Sequence, residues 1–404
     1  MTLIGSLAMG TTFFVSPVSG VLTDYIGLRK TTFLGGAIAS SGMFLSSFFV
    51  DNIVALCITY GIMYGLGGAL AYTPSLAVLG HYFKRYLGIV NGFVTAGSSV
   101  FTIAMPYVID SLLKSFGIVA TLRILAVISG LIMLCAFLFK PVKHHVPSKR
   151  VSCRDVFNVT VVKNTKYIIW TTVIAISLFG YFVPYVYMLK FVEINFPKDS
   201  DTKLPILCIG ITSGVGRLVF GYIADLPKVN RIYLQQLSFL SIGILTMLLP
   251  LSVGHYGSLI VIALGMGLFD GCFISLLGPI AFDICGRKGA TQAIGFLLGV
   301  CSIPLTIGPY IAGIILDAQN SYTLPLILAG IPPTIGSVAM FVLKCVKTAP
   351  SKEESSQPLR SNHVENHKLS ASGRLLEKSF ISTYVICDDN KNVKNQRCYT
   401  YSIM

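Results

Sequence analysis

Residues 265–278 read GMGLFDGCFISLLG, and residues 208–225 read CIGITSGVGRLVFGYIAD. Each apolar run carries one full charge in its interior, Asp270 in the first and Arg217 in the second. A lone charge at the centre of a lipid-embedded helix costs about 2.5 to 3.5 kcal/mol on insertion scales. Two charges of opposite sign lower each other's desolvation cost. Facing one wet chamber, they could hold a zwitterion, the guanidinium taking a carboxylate and the carboxylate an amine. The same pair could instead lock two helices together, or break and reform as a gate. This is binding chemistry rather than bond-making. The sequence offers no nucleophile with its base, no phosphate-cradling Gly loop and no metal-ligand cluster, so no catalytic residue, cofactor or metal site is expected.

The elements that position these charges follow from composition. The 404 residues are 53% hydrophobic and 12% charged, with 38 Gly and 18 Pro, and the mean hydropathy is +0.74. Soluble domains carry roughly one-quarter charged residues, so the chain reads as an all-α polytopic membrane protein. Its net charge of +14 has a home in loops between spans, and nucleic acid is not an expected partner. Apolar stretches long enough to cross a bilayer fall at about 3–22, 31–50, 53–78, 88–111, 119–139, 167–190, 204–224, 232–252, 257–281, 291–316 and 322–344, which makes eleven transmembrane helices. Arg217 and Asp270 stand equally deep in their spans, because the differences 217 − 204 and 270 − 257 are the same. At about 1.5 Å per residue both are roughly 20 Å from the same face.

Basic residues separate into alternate loops. Arg29, Lys30, Lys84, Arg85, the run from Lys140 to Lys166, Lys228, Arg231, Arg287 and Lys288 share one side with the basic C-terminal tail, while Lys114, Arg123, Lys190, Lys198 and Lys203 take the other. The positive-inside rule puts the first group, and the C-terminus, in the cytoplasm.

The sequence also repeats itself. GVLTDYIGLRK at 20–30 is echoed by GYIADLPKVNR at 221–231, which sets Asp24 and Asp225 at a spacing of 201 (225 − 24). NGF at 91–93 with Pro106-Tyr107 is echoed by IGF at 294–296 with Pro309-Tyr310, at a spacing of 203 (309 − 106). Two parallel, pseudo-symmetric helical halves about an axis along the membrane normal resemble the plan of the major facilitator transporters, and GxLxDxxGxRK resembles their loop signature between helices two and three. On that reading Asp24 and Asp225 cap or pair at the interface between halves, and Arg29, Lys30, Lys84 and Arg85 anchor one side, all in gating rather than substrate contact. The expected organisation is an N-terminal half at 1–140 whose opening helix is absent, a linker loop at 141–166, a C-terminal half at 167–348 and a disordered cytoplasmic tail at 349–404.

Within that superfamily, YFKRYLGIVNGFVTAG at 82–97 resembles the monocarboxylate transporter family, and the resemblance covers nearly all of 3–345. TAGSSVFTI at 95–103, GYFVPYV at 180–186, SGVGRL at 213–218, GLFDGCF at 267–273 and QAIGFLLG at 292–299 resemble most the branch that carries aromatic amino acids and thyroid hormones. The resemblance implies that Arg217 reads a substrate carboxylate and that Asp270 belongs to the same site, with Phe182 and Tyr187 as aromatic contacts; Tyr187 stands where hormone-carrying relatives have His. Proton-coupled lactate carriers of the family place an Asp one turn before the Arg, and here that position, 217 − 4, is Ser213. Facilitative transport without proton coupling is therefore expected. The alternatives are a proton-coupled carrier of lactate or pyruvate, and a truncated product that regulates a full-length carrier without transporting. The expected setting is the plasma membrane, with a small-molecule substrate and lipids as partners and with an accessory membrane glycoprotein or a homo-oligomer as further candidates. The cysteines, scattered among spans and reducing-side loops, form no disulfide framework, and Asn158-Val-Thr fits a glycosylation sequence on the wrong side of the membrane.

Overall fold

The computed structural model describes residues 2–83, 86–139, 161, 163–197, 200–319, 321–345, 383–386 and 399–402. Lys84, Arg85 and nearly all of the 141–166 linker lie outside the described residues. Two units are distinguished, Met1–Thr348 and Ala349–Met404. In the second unit, the strands Thr383–Ile386 and Tyr399–Ser402 pair antiparallel.

The first unit is a bundle of eleven helical segments, followed by a short turn of helix at Val342–Cys345. They are α1 Thr2–Ile26, α2 Leu28–Ser46, α3 Ile53–Gly80, α4 at 87–116, α5 at 118–138, α6 Thr165–Asn195, α7 Leu204–Ala224, α8 Arg231–Ser252, α9 at 256–285, α10 at 287–319 and α11 Thr323–Ala339. Eight stretches among the described residues are long and apolar enough to cross a membrane, and α11 is a shorter apolar helix. The eleven expected stretches reappear as helices, with α1 and α2 outside the eight, and with two joints that the apolar pattern did not place. α4 runs into α5 through Gly117 at φ 74°, and α9 runs into α10 through Gly286 at φ 67°. Both joints need a left-handed residue, which glycine adopts without steric cost, so each connection is a one-residue bend rather than a loop.

α6 breaks at Phe182, between Thr165–Tyr181 and Val183–Asn195. Pro184 explains the break, because it has no N–H to give back to the preceding turn. α3 contains a π-helical stretch at Cys57–Tyr64. Such stretches widen the helix locally and cluster at functional positions.

Small residues let the helices meet backbone to backbone, as membrane bundles require when apolar side chains gain little from leaving lipid. Within the second half, a Cβ at Gly216 would collide with the Leu268 carbonyl, and one at Gly271 with that of Ser213; this locks α7 to α9. Between the halves, a Cβ at Gly92 would collide with the Arg217 carbonyl, and one at Gly295 would stand 2.7 Å from that of Ser16. These are the α4–α7 and α1–α10 crossings. They correspond to each other at nearly the offset seen in the sequence, so the repeat is also a repeat of packing. The core is densest in the second half, where Trp170 is fully buried and its indole N–H donates to Gln235 at 2.7 Å.

Candidate functional site

The α7–α9 contact brings the two interior charges together. Arg217 and Asp270 are 6% and 8% exposed, and Arg217 Nη2 stands 3.7 Å from Asp270 Oδ2. That distance is an ion pair without a hydrogen bond. The hydrogen bonds of the two groups go elsewhere. Asp270 Oδ1 accepts from the Tyr181 hydroxyl on α6, and Oδ2 accepts from Ser213 Oγ at 2.5 Å. Arg217 Nη1 donates to the Thr95 carbonyl and to Ser98 Oγ on α4, in the opposite half. The carboxylate therefore owes its place in an apolar span to two hydroxyl donors as well as to the guanidinium. Hydrogen bonds to a charged group contribute about 1.5 to 3 kcal/mol each, enough to offset much of the insertion cost.

Both charges line a cavity of about 430 Å³ between the halves. This falls inside the range of about 300 to 1,000 Å³ common to small-molecule sites. Its walls are mainly apolar and aromatic: Phe13 from α1, Tyr72 from α3, Phe182 and Tyr185 from α6, Phe273 from α9 and Leu297 from α10. Tyr181, Phe182 and Tyr185 form one ring cluster, with centroids 5.4 to 6.2 Å apart. That cluster stands beside the Asp270 carboxylate, which Tyr181 touches directly. Three buried polar atoms in the lining have no hydrogen-bond partner: Arg217 Nε, Tyr185 Oη and Ser99 Oγ.

Phe182, Arg217 and Asp270 thus share one cavity. Tyr187 does not line it. Its hydroxyl donates to the Pro309 carbonyl at 2.9 Å and its ring packs edge-on against Tyr322 at 6.5 Å. Tyr187 stands two residues beyond Tyr185, which on a helix is nearly the opposite face, and it therefore points toward α10 and away from the cavity.

The Major Facilitator Superfamily profile matches residues 1–253. The chain is 46% identical over 361 residues to monocarboxylate transporter 10 of Danio rerio, a match that covers 87% of this chain and 71% of that protein. The chain belongs to the monocarboxylate transporter family. It is also 42% identical over 397 residues to human monocarboxylate transporter 10, covering 93% of this chain and 76% of the relative. Monocarboxylate transporter 4 of Gallus gallus is 26% identical over 365 residues, covering 88% of this chain and 77% of the relative. Among solved structures, the E. coli fucose–proton symporter superposes with a TM-score of 0.68 at 12% identity, covering 85% of this chain and 90% of that one. At that identity the likeness speaks for the fold, a multi-pass helical transporter fold.

In this monocarboxylate transporter family member each signature loop is tied to a helix of the opposite half. Asp225 Oδ1 accepts from the Gly88 N–H at 2.9 Å and Oδ2 from the Ile89 N–H at 2.8 Å, so a second-half carboxylate caps the start of first-half helix α4. Free N–H groups and the helix dipole favour an anion there. Arg231 Nη2 holds the same carboxylate at 2.9 Å, while its Nη1 reaches Asp283 at 2.8 Å. In the symmetric place, Asp24 accepts from Gln292 Nε2 at 3.0 Å, near the start of α10. Asn91 Nδ2 adds a further tie to the Ser275 carbonyl at 2.7 Å. Arg29 lies over the Phe137 ring at 4.9 Å, within its own half, and Lys30 is exposed.

Sequence reasoning did not find Tyr181, Thr95 or Ser98. Their signal was present in GYFVPYV and TAGSSVFTI, but a tyrosine or serine among apolar residues has many uses. Only the position of a neighbouring helix selects one.

Proposed function

We propose that the chain carries aromatic amino acids, iodothyronines or both across the plasma membrane by facilitated transport, exposing the central cavity alternately to each side. The observation that carries this reading is the aromatic-walled cavity of about 430 Å³ in which Arg217 leaves donors unused next to Asp270. A guanidinium recognises a carboxylate, a buried carboxylate recognises an ammonium group, and stacked aromatic walls recognise a ring. An α-amino acid with a large aromatic side chain offers all three. Ser213, where proton-coupled carriers have a carboxylate, favours transport without a proton, since a hydroxyl does not titrate near neutral pH.

In this reading the signature loops lie on the cytoplasmic side, as does the C-terminal tail, and Asp24, Asp225, Arg231 and Gln292 hold that side shut. The halves at 1–140 and 167–348 rock against each other, and the α4–α7 and α1–α10 crossings part as that side opens. The reaction breaks no covalent bond, so the protein is a carrier and not an enzyme. An accessory membrane glycoprotein or a second copy of the chain would act on surface delivery and not on the cavity.

The test is uptake of labelled tryptophan and triiodothyronine into cells expressing the chain, with surface expression verified, in the presence and absence of an inward proton gradient. Uptake indifferent to the gradient and lost in Arg217→Ala is expected. Proton-driven uptake of lactate in its place, or undiminished uptake by Arg217→Ala, would overturn the reading.

A further inference from the structure

A guanidinium carries five N–H donors in a planar fork, and the use of each in Arg217 can be followed. Nη1 is held by the first half, through the Thr95 carbonyl and Ser98 Oγ. Ser98 Oγ donates its own proton to the Thr95 carbonyl at 2.9 Å, so the hydroxyl is oriented to present a lone pair to Nη1. Nε is buried without a partner, and Nη2 makes only the 3.7 Å approach to Asp270. Asp270 leaves this edge unfilled: its oxygens accept from Tyr181 and Ser213, which hold the carboxylate 3.7 Å from Nη2. The Nε–Nη2 edge is one of the two along which a carboxylate makes two parallel hydrogen bonds. Of the whole fork, that edge alone remains for a ligand.

The anchor for this arrangement lies across the boundary between the halves. α4 and α7 touch backbone to backbone at Gly92 and Arg217, where a Cβ at Gly92 would collide with the Arg217 carbonyl. The guanidinium therefore cannot keep its bonds to Thr95 and Ser98 if that crossing opens. The symmetric position, 217 − 201, is Ser16, so the first half contributes no second arginine at this place. One guanidinium serves the cavity, and the opposite half sets its orientation.

We propose that Ser98 is a positioning residue for substrate. By fixing Nη1 from the opposite half, it turns the Nε–Nη2 edge of Arg217 to the substrate carboxylate and makes carboxylate recognition depend on contact between the halves. Separation at α4 and α7 frees the guanidinium to swing onto Asp270, and the carboxylate loses its two-pronged partner as the cavity opens. This rests on the reading that the cavity takes an aromatic monocarboxylate.

The experiment compares the full-length parent with Ser98→Ala, Ser98→Thr, Ser98→Cys and Arg217→Ala at matched surface expression. It reads the half-saturation concentration for tryptophan and the inhibition constant of tryptophanamide, which keeps the ring and amine but has no carboxylate. Ser98→Ala should raise the tryptophan half-saturation roughly tenfold, the worth of one hydrogen bond to a charged group. The amide constant should stay at the parental value, and Ser98→Thr, which keeps the hydroxyl, should restore tryptophan. Ser98→Cys, nearly isosteric with a weaker acceptor, reads the same contact if the alanine variant fails to reach the membrane. If the amide does not inhibit the parent, tryptophan half-saturation and threonine rescue decide. An unchanged half-saturation in Ser98→Ala, or equal losses for acid and amide, overturns the role of Ser98. In that event loss of uptake in Arg217→Ala would still leave the carrier reading standing. Absence of aromatic amino acid uptake by the surface-expressed parent would overturn the reading beneath it.

Discussion

Asp225→Asn isolates the tie between one half's signature loop and the other half's helix. The Asp225 side chain is 4% exposed, and its two oxygens accept separately from the N–H groups of Gly88 and Ile89. Each such bond to a charged acceptor contributes about 1.5 to 3 kcal/mol, whereas the amide of Asn keeps one neutral acceptor at about 0.5 to 1.5 kcal/mol. The difference disfavours the state closed at this end by about 1.5 kcal/mol at the least. That is a shift of about tenfold in the closed-to-open ratio. Arg231 retains Asp283 at 2.8 Å, so the second-half loop should keep its shape, and the effect should fall on the relation between halves. The assay is the rate at which a membrane-impermeant thiol reagent, applied from the signature-loop side, labels a cysteine placed at Ser275. Ser275 is fully buried, and its carbonyl accepts from Asn91 across the boundary. With the native cysteines replaced, Asp225→Asn should label about tenfold faster. A correctly folded Asp225→Asn protein that labels at the parental rate would refute the argument that this carboxylate holds the halves together.

Two further perturbations probe the cavity and its scaffold. Phe182→Ala should weaken binding of an aromatic substrate by about tenfold, from roughly 1.5 to 3 kcal/mol of lost apolar burial, while barely moving a small aliphatic competitor; competition uptake with tryptophan and alanine measures the contrast. Gly271→Val puts a branched side chain where even a Cβ would collide with the Ser213 carbonyl, so it should destabilise the α7–α9 contact by about 1 to 3 kcal/mol. A lower melting temperature of the detergent-solubilised protein, with reduced uptake, is the expected pair of results.

The architecture was legible because its signals are long. Eleven apolar stretches, alternating loop charge and a recurring offset between paired motifs each draw on many positions, and the helices follow them closely. The joints at Gly117 and Gly286 were not legible, because a single left-handed glycine leaves the apolar pattern unbroken on either side. The matched depth of Arg217 and Asp270 was legible as well, since equal counts from the start of two parallel spans must end at one level. Tyr187 shows the limit of that reasoning. Depth along α6 places it near the cavity, but its place around the helix, nearly opposite Tyr185, takes it to the Pro309 carbonyl. Depth fixes a level along a helix and not a direction around it.

Matched depth also says nothing of how two charges share their bonds. From the sequence, the economical arrangement is for Arg217 and Asp270 to satisfy each other. A pair closed on itself would leave a carboxylate ligand to displace an ion pair in a low-dielectric site, and most of the binding energy would go into that exchange. Instead Asp270 is held by Tyr181 and Ser213, and Arg217 by Thr95 and Ser98. The charges stay close enough to stabilise each other at 3.7 Å, yet each is oriented by neutral groups that a ligand need not displace. That division keeps one edge of the guanidinium free at little electrostatic cost. It also draws its supports from α4 and α6, on opposite sides of the boundary between the halves. A shift of those helices therefore alters both charges together, and the affinity of the cavity is bound to the arrangement of the halves around it.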